Sequence, residues 1–583
     1  MMLKEKTQYK RRMDVLCDLL RNPEEVMYPE RLGAARPTRH SFSRSLIRYM
    51  VRHRWRVERV AWQLDAEGRG KAIYTVRTHE RPLHFVVFSD VIPEEERTDR
   101  VIANAWDVTA VLCEGDLGPE RLEDMRREVP RQEGGRADPR SLVWTRGNRS
   151  SRFFDHVVER LAAGKQPDPE VVGGSAYMLR STAFYANGKF GTAPFHALGP
   201  DHPLGVSYRA QMLAAWLFRE FSYDLVEHCA RACNPNASRL EEGWRRYFGI
   251  GNATGLGMIA FFINHPKIIN AWCMVRELAL ANATDTIVGP ADPEVRRLLE
   301  LLDRCSRFFR ERDTLSTKPF KRQGELAVQL DAAKRLTEEF TEHGTMQGQK
   351  TKRPWDLLRR WATRELDVEG QELLHSLLIE LYDDLDGVLE ELLEVDESMV
   401  TSPQMSVGEL RTILERDYAW AFEFDFEDPK STHYFWYISA NSEEPRKGVR
   451  GTDPGEEHEQ PYDIARQVQM LHEDLKKVPD DDPIAVFLLS HPWHRGIAER
   501  VQSVHDLPYA EVRANYLAVD FVPLYLQKFK LAMYGMENYS PKSLDWLRVT
   551  LFQGAPRAAD VAVGIEGDWI FPPKPRSREE GTC

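Results

Sequence analysis

The feature that most constrains this chain is a change in its hydrophobic period. WRVERVAWQL (55–64), KAIYTVRT (71–78) and LHFVVFSDV (83–91) are short runs rich in β-branched and aromatic residues, and they read as three strands. The first two are joined by the turn-like DAEGRG. Connections this short imply antiparallel neighbours, because a parallel pair needs a crossover of about a dozen residues or more. From 207 to 417 the apolar residues recur at three and four instead. SYRAQMLAAWLFREFSYDLVEHCARAC (207–233), DPEVRRLLELLDRCSRFFRER (292–312), LAVQLDAAKRLTEEFTEH (326–343) and GQELLHSLLIELYDDLDGVLEELLE (370–394) each carry a helical face. Further on, AWAFEFDFED (419–428) alternates strictly and predicts a hairpin with THYFWYIS (432–439).

The expected fold is α+β and predominantly helical, with a small N-terminal antiparallel sheet, a central helical bundle and a C-terminal β-hairpin with a mixed segment. At 583 residues the chain is too long for one ordinary core. Four segments are expected. They are an N-terminal helix and linker (1–39), a small α+β domain with an antiparallel meander (40–165), a helical core with glycine-rich loops (166–417), and a hairpin with a mixed C-terminal region (418–583).

Charge narrows the partners. With 91 acidic against 79 basic residues the formal net charge is −12, which argues against a general nucleic-acid binder. No run of about 18 apolar residues occurs, so no membrane span is expected. The N-terminal MMLKEKTQYKRRMDVLCDLL lacks the apolar stretch of a secretory signal. Seven cysteines, an odd and sparse number, suit a reduced cytoplasmic setting. A homo-oligomer is compatible with this composition.

Two stretches stand out as chemistry. RRYFGIGNATGLGMIAFF (245–262) holds Gly249, Gly251, Gly255 and Gly257. A dinucleotide fingerprint needs a strand before its glycines and a helix after them, but the preceding LEEGWRRYF reads as a helix end. Two readings remain. One is close packing where helices cross. The other is an anion site in which Gly251 and Gly255 offer backbone N–H groups, with Asn252 and Thr254 capping a following helix. The loop-rich 171–205 contains LRSTAFYANGKFGTAPFH (179–196). In it Arg180 and Lys189 suit an anion, Asn187 adds hydrogen bonds, and Tyr185 or His196 can move protons.

Two other groups are weaker. Glu220, Asp224 and His228 share a face of the helix at 207–233, and Glu372-x-x-His375 has the spacing used by di-iron bundles, but no second Glu-x-x-His accompanies it. His491, His494 and His505 lie near arginines without a known catalytic spacing. The Gly-x-Ser-x-Gly, His-Glu-x-x-His, phosphate-loop and Cys-x-x-Cys signatures are missing from the sequence.

The leading expectation is a soluble enzyme acting on a small anionic metabolite, a carboxylate or phosphate. Arg180, Lys189, Asn187, Gly251, Asn252, Thr254 and Gly255 would bind it, and His196 and Tyr185 would carry the proton chemistry. The alternatives are an oxidoreductase using a nucleotide or metal, and a non-enzymatic scaffold. No residue pattern specifies a cofactor.

Overall fold

The computed structural model describes residues 12–91, 106–129, 140–150, 153–172, 176–181, 198, 201–255, 263, 265–312, 323–393, 398–424, 434–437, 446–449, 461–513, 522–543 and 546–575. Its strands are β1 (Arg56–Leu64), β2 (Gly70–Arg77), β3 (Pro82–Ser89), β4 (Val108–Glu114), β5 (Ser141–Arg149), β6 (Tyr177–Ser181), β7 (Gly249–Gly255), β8 (Thr345–Met346), β9 (Gln349–Lys350), β10 (Tyr434–Tyr437), β11 (Arg446–Val449), β12 (Asn538–Ser543) and β13 (Trp546–Leu551). Nine of them form a single sheet in the order β1-β2-β3-β4-β5-β6-β7-β13-β12.

The expected small N-terminal sheet is therefore corrected. The antiparallel meander runs on from β1 to β6. An unpaired edge at β6 would leave a row of backbone groups open. β7 covers that edge in parallel, β13 pairs antiparallel with β7, and β12 closes the far side. One sheet thus gathers strands from residues 56–181, 249–255 and 538–551.

The expected hairpin of 419–428 with 432–439 is also corrected. Ala419–Phe422 is a helical turn, and β10 pairs with β11 instead. Residues 425–433 lie outside the described residues. The alternating aromatics are satisfied by packing: Trp420 meets Phe424 at 5.8 Å between ring centroids, and Phe422 meets His472 at 4.8 Å. A short apolar run does not by itself distinguish helix from strand.

The helices used below are α1 (Phe42–Arg52), α2 (Pro119–Glu128), α3 (Arg209–Cys233), α4 (Pro266–Asp285), α5 (Pro293–Glu311), α6 (Gln323–His343), α7 (Pro354–Glu365), α8 (Val368–Ile379) and α9 (Val522–Tyr534). Helix predominates, as its sequence period requires. The expected helix at 370–394 is split into α8 and Val388–Leu393. Among the described residues no helix is long and apolar enough to cross a membrane.

α3 is the central helix. Twenty of its 25 residues are buried, so it cannot be a surface helix with a single apolar stripe. One side packs on the sheet, where Phe218 meets Phe85 at 6.4 Å and Phe221 meets Trp62 at 5.9 Å. Gly147 of β5 has no room for a side chain, since a Cβ there would stand 2.7 Å from the Phe218 ring. Arg219 is fully buried and donates to the carbonyls of Phe248 (2.9 Å), Ala555 (2.8 Å) and Pro556 (3.1 Å). It thereby ties the helix to the chain entering β7 and the chain leaving β13. A guanidinium is suited to this, with five donors in a fixed fork.

The N-terminal segment is held by a buried ionic cluster. Arg21 donates to Glu277 (2.7 Å) and Glu372 (2.6 Å), and Arg31 donates to Glu372 (2.7 Å). Arg276 of α4 lies 2.6 Å from the same Glu372 of α8. Burial pushes both carboxyls up, but the arginines outweigh it. Glu277 is held below the usual carboxylate range and Glu372 well below it.

Candidate functional site

Residues directly opposite on neighbouring strands point to the same face of a sheet. Following the register across five strands gives one row: Asn148 of β5, Arg180 of β6, Gly251 of β7, Thr550 of β13 and Asn538 of β12. All five are buried. One step along the strands, Arg146 of β5 and Arg548 of β13 lie on this same face, and Arg548 is opposite Ala253. α3 occupies the opposite face, as the contact of Gly147 with Phe218 requires.

At the β2–β5 end, the arginine-bearing face carries a small apolar cluster of Ile73, Val86, Phe88, Val111, Cys113 and Trp144. α2 covers it through Met125. Beyond this cluster the face becomes polar. Strands lie about 4.8 Å apart, so Arg180 stands about one spacing from Gly251, and Arg146 and Arg548 are about 14 Å apart across three spacings. Three arginines from three strands therefore lie around Gly251 and Ala253 on this face, with the Tyr177 ring packed over Gly251. The Arg146 guanidinium lies 4.4 Å from the Trp106 ring centroid. Asp107 accepts from the backbone N–H of Arg149 (2.9 Å), and its own N–H donates to Asn148 (2.9 Å).

The position of this row matters. Among the described strands β6 and β7 are the one parallel pair. Both run toward the end of the sheet where Arg146 and Arg548 lie. In open sheets with parallel strands, ligands favour the carboxyl ends of strands where the strand order switches.

Gly249, Gly251 and Gly255 lie in a strand, β7, while Gly257 lies outside the described residues. β7 has neighbours on both sides, so its backbone N–H groups serve the sheet and do not form a free cradle. A Cβ on Gly251 would stand 2.4 Å from the Tyr177 ring, and one on Gly249 would stand 2.3 Å from the Leu551 carbonyl oxygen. Close approach is thus what these two glycines permit. Asn252 caps no helix; its amide donates to the Ser181 carbonyl (2.7 Å) and ties the last residue of β6 to β7. Thr254 and Gly255 pair with Leu547 and Trp546. Of the loop candidates, Arg180 is on β6 beside Gly251, whereas Tyr185, Asn187, Lys189 and His196 lie outside the described residues.

The metal candidates have other partners. Glu220 pairs with Arg557 (3.2 Å). Asp224 accepts from Tyr74 (2.7 Å) and pairs with Arg59 (3.0 Å). His228 sits between the Trp62 indole N–H (3.2 Å) and the Asp65 carbonyl (2.6 Å). Glu372 and His375 belong to the arginine cluster on α8, and burial pushes His375 down to about 4. His494 pairs with Asp474 (2.8 Å), and His505 lies 3.4 Å from Asp417.

Sequence reasoning passed over Arg146 and Arg548. Their signal is an arginine at a period-two position after the apolar residues of a strand run, in SLVWTRGNR and WLRVTL. Comparison with known protein families, curated proteins and solved structures finds no match for this chain.

Proposed function

We propose that this chain is an enzyme that binds a small anionic molecule, a carboxylate or a phosphate, at the carboxyl ends of β6 and β7. The observation behind this reading is the placement of Arg146, Arg180 and Arg548 on one face of three strands. Guanidinium groups bind carboxylate and phosphate with paired, parallel hydrogen bonds. Asn148, Thr550 and Asn538 complete the row with neutral donors and acceptors. In this reading Lys189 and Asn187, carried by the chain that continues from β6, add to the anion's contacts, and Tyr185 and His196 supply the proton transfer.

The test is calorimetric titration of the purified protein with inorganic phosphate, pyrophosphate and citrate, alongside thermal melting. Saturable binding is expected for at least one of them, with stabilisation of about 2.7 kcal/mol at a hundredfold excess over Kd. Arg180→Gln and Arg548→Gln should each weaken it at least tenfold, the loss of about one charge-assisted contact of ~1.4 kcal/mol or more. Absence of saturable binding up to about 10 mM, beyond the ~1 mM end of ordinary small-ligand affinity, overturns the reading. Unchanged affinity in both variants does the same.

A further inference from the structure

α9 presents Gln527, Lys530 and Tyr534 at spacings of three and four, which places them on one helical face. Lys530 is only 7% exposed. A buried lysine is ordinarily paired. Lys528, two residues earlier, follows that rule and donates to Glu369 (2.8 Å). Lys530 has no carboxylate partner among the described residues. Its ammonium instead stands 5.4 Å from the ring centroid of Tyr534, one turn further on.

Tyr534 belongs to an aromatic nest. Its ring is 5.3 Å from Tyr208 and 5.9 Å from Phe42; Tyr208 stacks on Phe42 at 5.1 Å and meets His265 at 6.3 Å. Tyr208 has a φ of 59°, left-handed for a bulky residue, immediately before α3. Such backbone strain concentrates at functional sites. The groups at this position are thus aromatic rings and a phenol, with no counter-charge for the amine. Burial alone brings Lys530 down to about 8, so about a tenth of it is the free amine at pH 7, far more than for an ordinary lysine near 10.4.

We infer that Lys530 is a nucleophilic amine that condenses with the carbonyl carbon of an aldehyde or 2-oxo acid held against the Tyr534–Tyr208–Phe42 nest. The nitrogen lone pair forms the C–N bond while the carbonyl π pair moves to oxygen, which takes up a proton. Nitrogen loses a proton to give the neutral carbinolamine, whose hydroxyl takes up a second proton and leaves as water while the nitrogen lone pair forms the C=N bond; the last proton on nitrogen returns to the medium, leaving the imine. No oxidant or reductant enters the step. The Tyr534 phenol, held protonated by burial and hydrogen-bonded to Tyr208, keeps the wall beside the amine uncharged. Desolvated lysines are activated in this way for imine chemistry. The inference is independent of anion binding at β6 and β7.

The experiment is reductive trapping on the full chain. Glyoxylate and, separately, pyridoxal 5′-phosphate are added with borohydride, and the adducts are located by peptide mass spectrometry. The expected result is a dominant adduct on Lys530 whose formation is half-maximal near pH 8. Lys530→Arg, which keeps the cation but cannot condense, should lose that adduct while melting within a few degrees of the parent. Adducts confined to exposed lysines such as Lys477 overturn the inference. So does Lys530 labelling that keeps rising to about pH 10, the behaviour of an ordinary lysine.

Discussion

Replacing Glu372 by Gln should destabilise the protein more than any exposed ionic substitution. Glu372 is 1% exposed and meets Arg21 (2.6 Å), Arg31 (2.7 Å) and Arg276 (2.6 Å). Gln keeps the shape and one acceptor but removes the charge. Among the described residues Glu277 is then the one carboxylate left to Arg21 and Arg276, while Arg31 keeps its 3.3 Å contact with the half-exposed Glu25. Counting three charge-assisted hydrogen bonds at full value would overshoot, because the desolvation already incurred by Glu372 is recovered. Breaking a buried ion pair by removing one partner costs about 3–5 kcal/mol, a large part of a typical stability of ~5–15 kcal/mol. At roughly 2–4 °C per kcal/mol for a large domain, the melting temperature should fall by about 6–20 °C. The exposed pair Arg360–Asp356 is the control; Arg360→Gln should change stability by less than ~1 kcal/mol.

The cluster also has a location and a pH signature. Arg21 and Arg31 belong to the N-terminal segment, so E372Q should speed proteolysis there before the remainder unfolds. Glu372 and Glu277 are depressed in the fold. Their contribution is therefore complete above the ordinary carboxylate value and is lost as pH falls below it. The acid side of the stability curve should be shallower in E372Q than in the parent. A melting temperature within about 2 °C of the parent, with unchanged N-terminal proteolysis, would refute the claim that this carboxylate anchors the segment.

Two further substitutions probe the sheet and a buried acid. Gly251→Ala places a Cβ 2.4 Å from the Tyr177 ring and should cost about 1–3 kcal/mol by overpacking, measured by urea or thermal unfolding. Adding Tyr177→Ala should relieve part of that cost, and strictly additive effects would show that the ring is not what excludes the side chain. Glu537 has both carboxylate oxygens buried without a hydrogen-bond partner among the described residues. Burial pushes it up to about 7, against the pull of Arg36 and Arg44. The folded state therefore holds this proton between about 4.5 and 7 while the unfolded chain releases it, and stability falls by a few kcal/mol, at most on the order of 3, as pH rises through that window. Glu537→Gln should flatten the slope and melt higher at pH 8; melting curves that keep the parent's slope from pH 5 to 8 would count against it.

The legible parts of the fold are those whose local pattern and tertiary environment agree. β1, β2 and β3 fall within two residues of the stretches read from alternation and β-branched content, and α3, α5 and α6 match their helical spacing. The elements that escaped reading lack that agreement. GIGNATG has little strand propensity, yet Gly249–Gly255 is a central strand because Tyr177 and the β13 backbone leave room only for glycine. NYSPKS contains a proline, which disfavours a central strand, yet Asn538–Ser543 is a strand, and it is an edge strand, where a missing N–H is tolerated. The di-iron-like Glu372 and His375 share a helix face as their spacing demands, but the residues opposite them are arginines.

By itself, then, the sequence determined the local geometry: where the backbone takes a period of two, where it takes 3.6, and that Arg180 and the glycines are unlike their surroundings. Those properties depend on residues within a turn or two of one another. Tertiary structure alone decided that the sheet would extend to nine strands, that β6 and β7 would run parallel, and that Arg146, Arg180 and Arg548 would share a face. Pairing β6 with β7 joins residues about 70 positions apart, and pairing β7 with β13 joins residues nearly 300 apart. The free energy that selects those pairings comes from burying α3 against the finished sheet, which no local window contains.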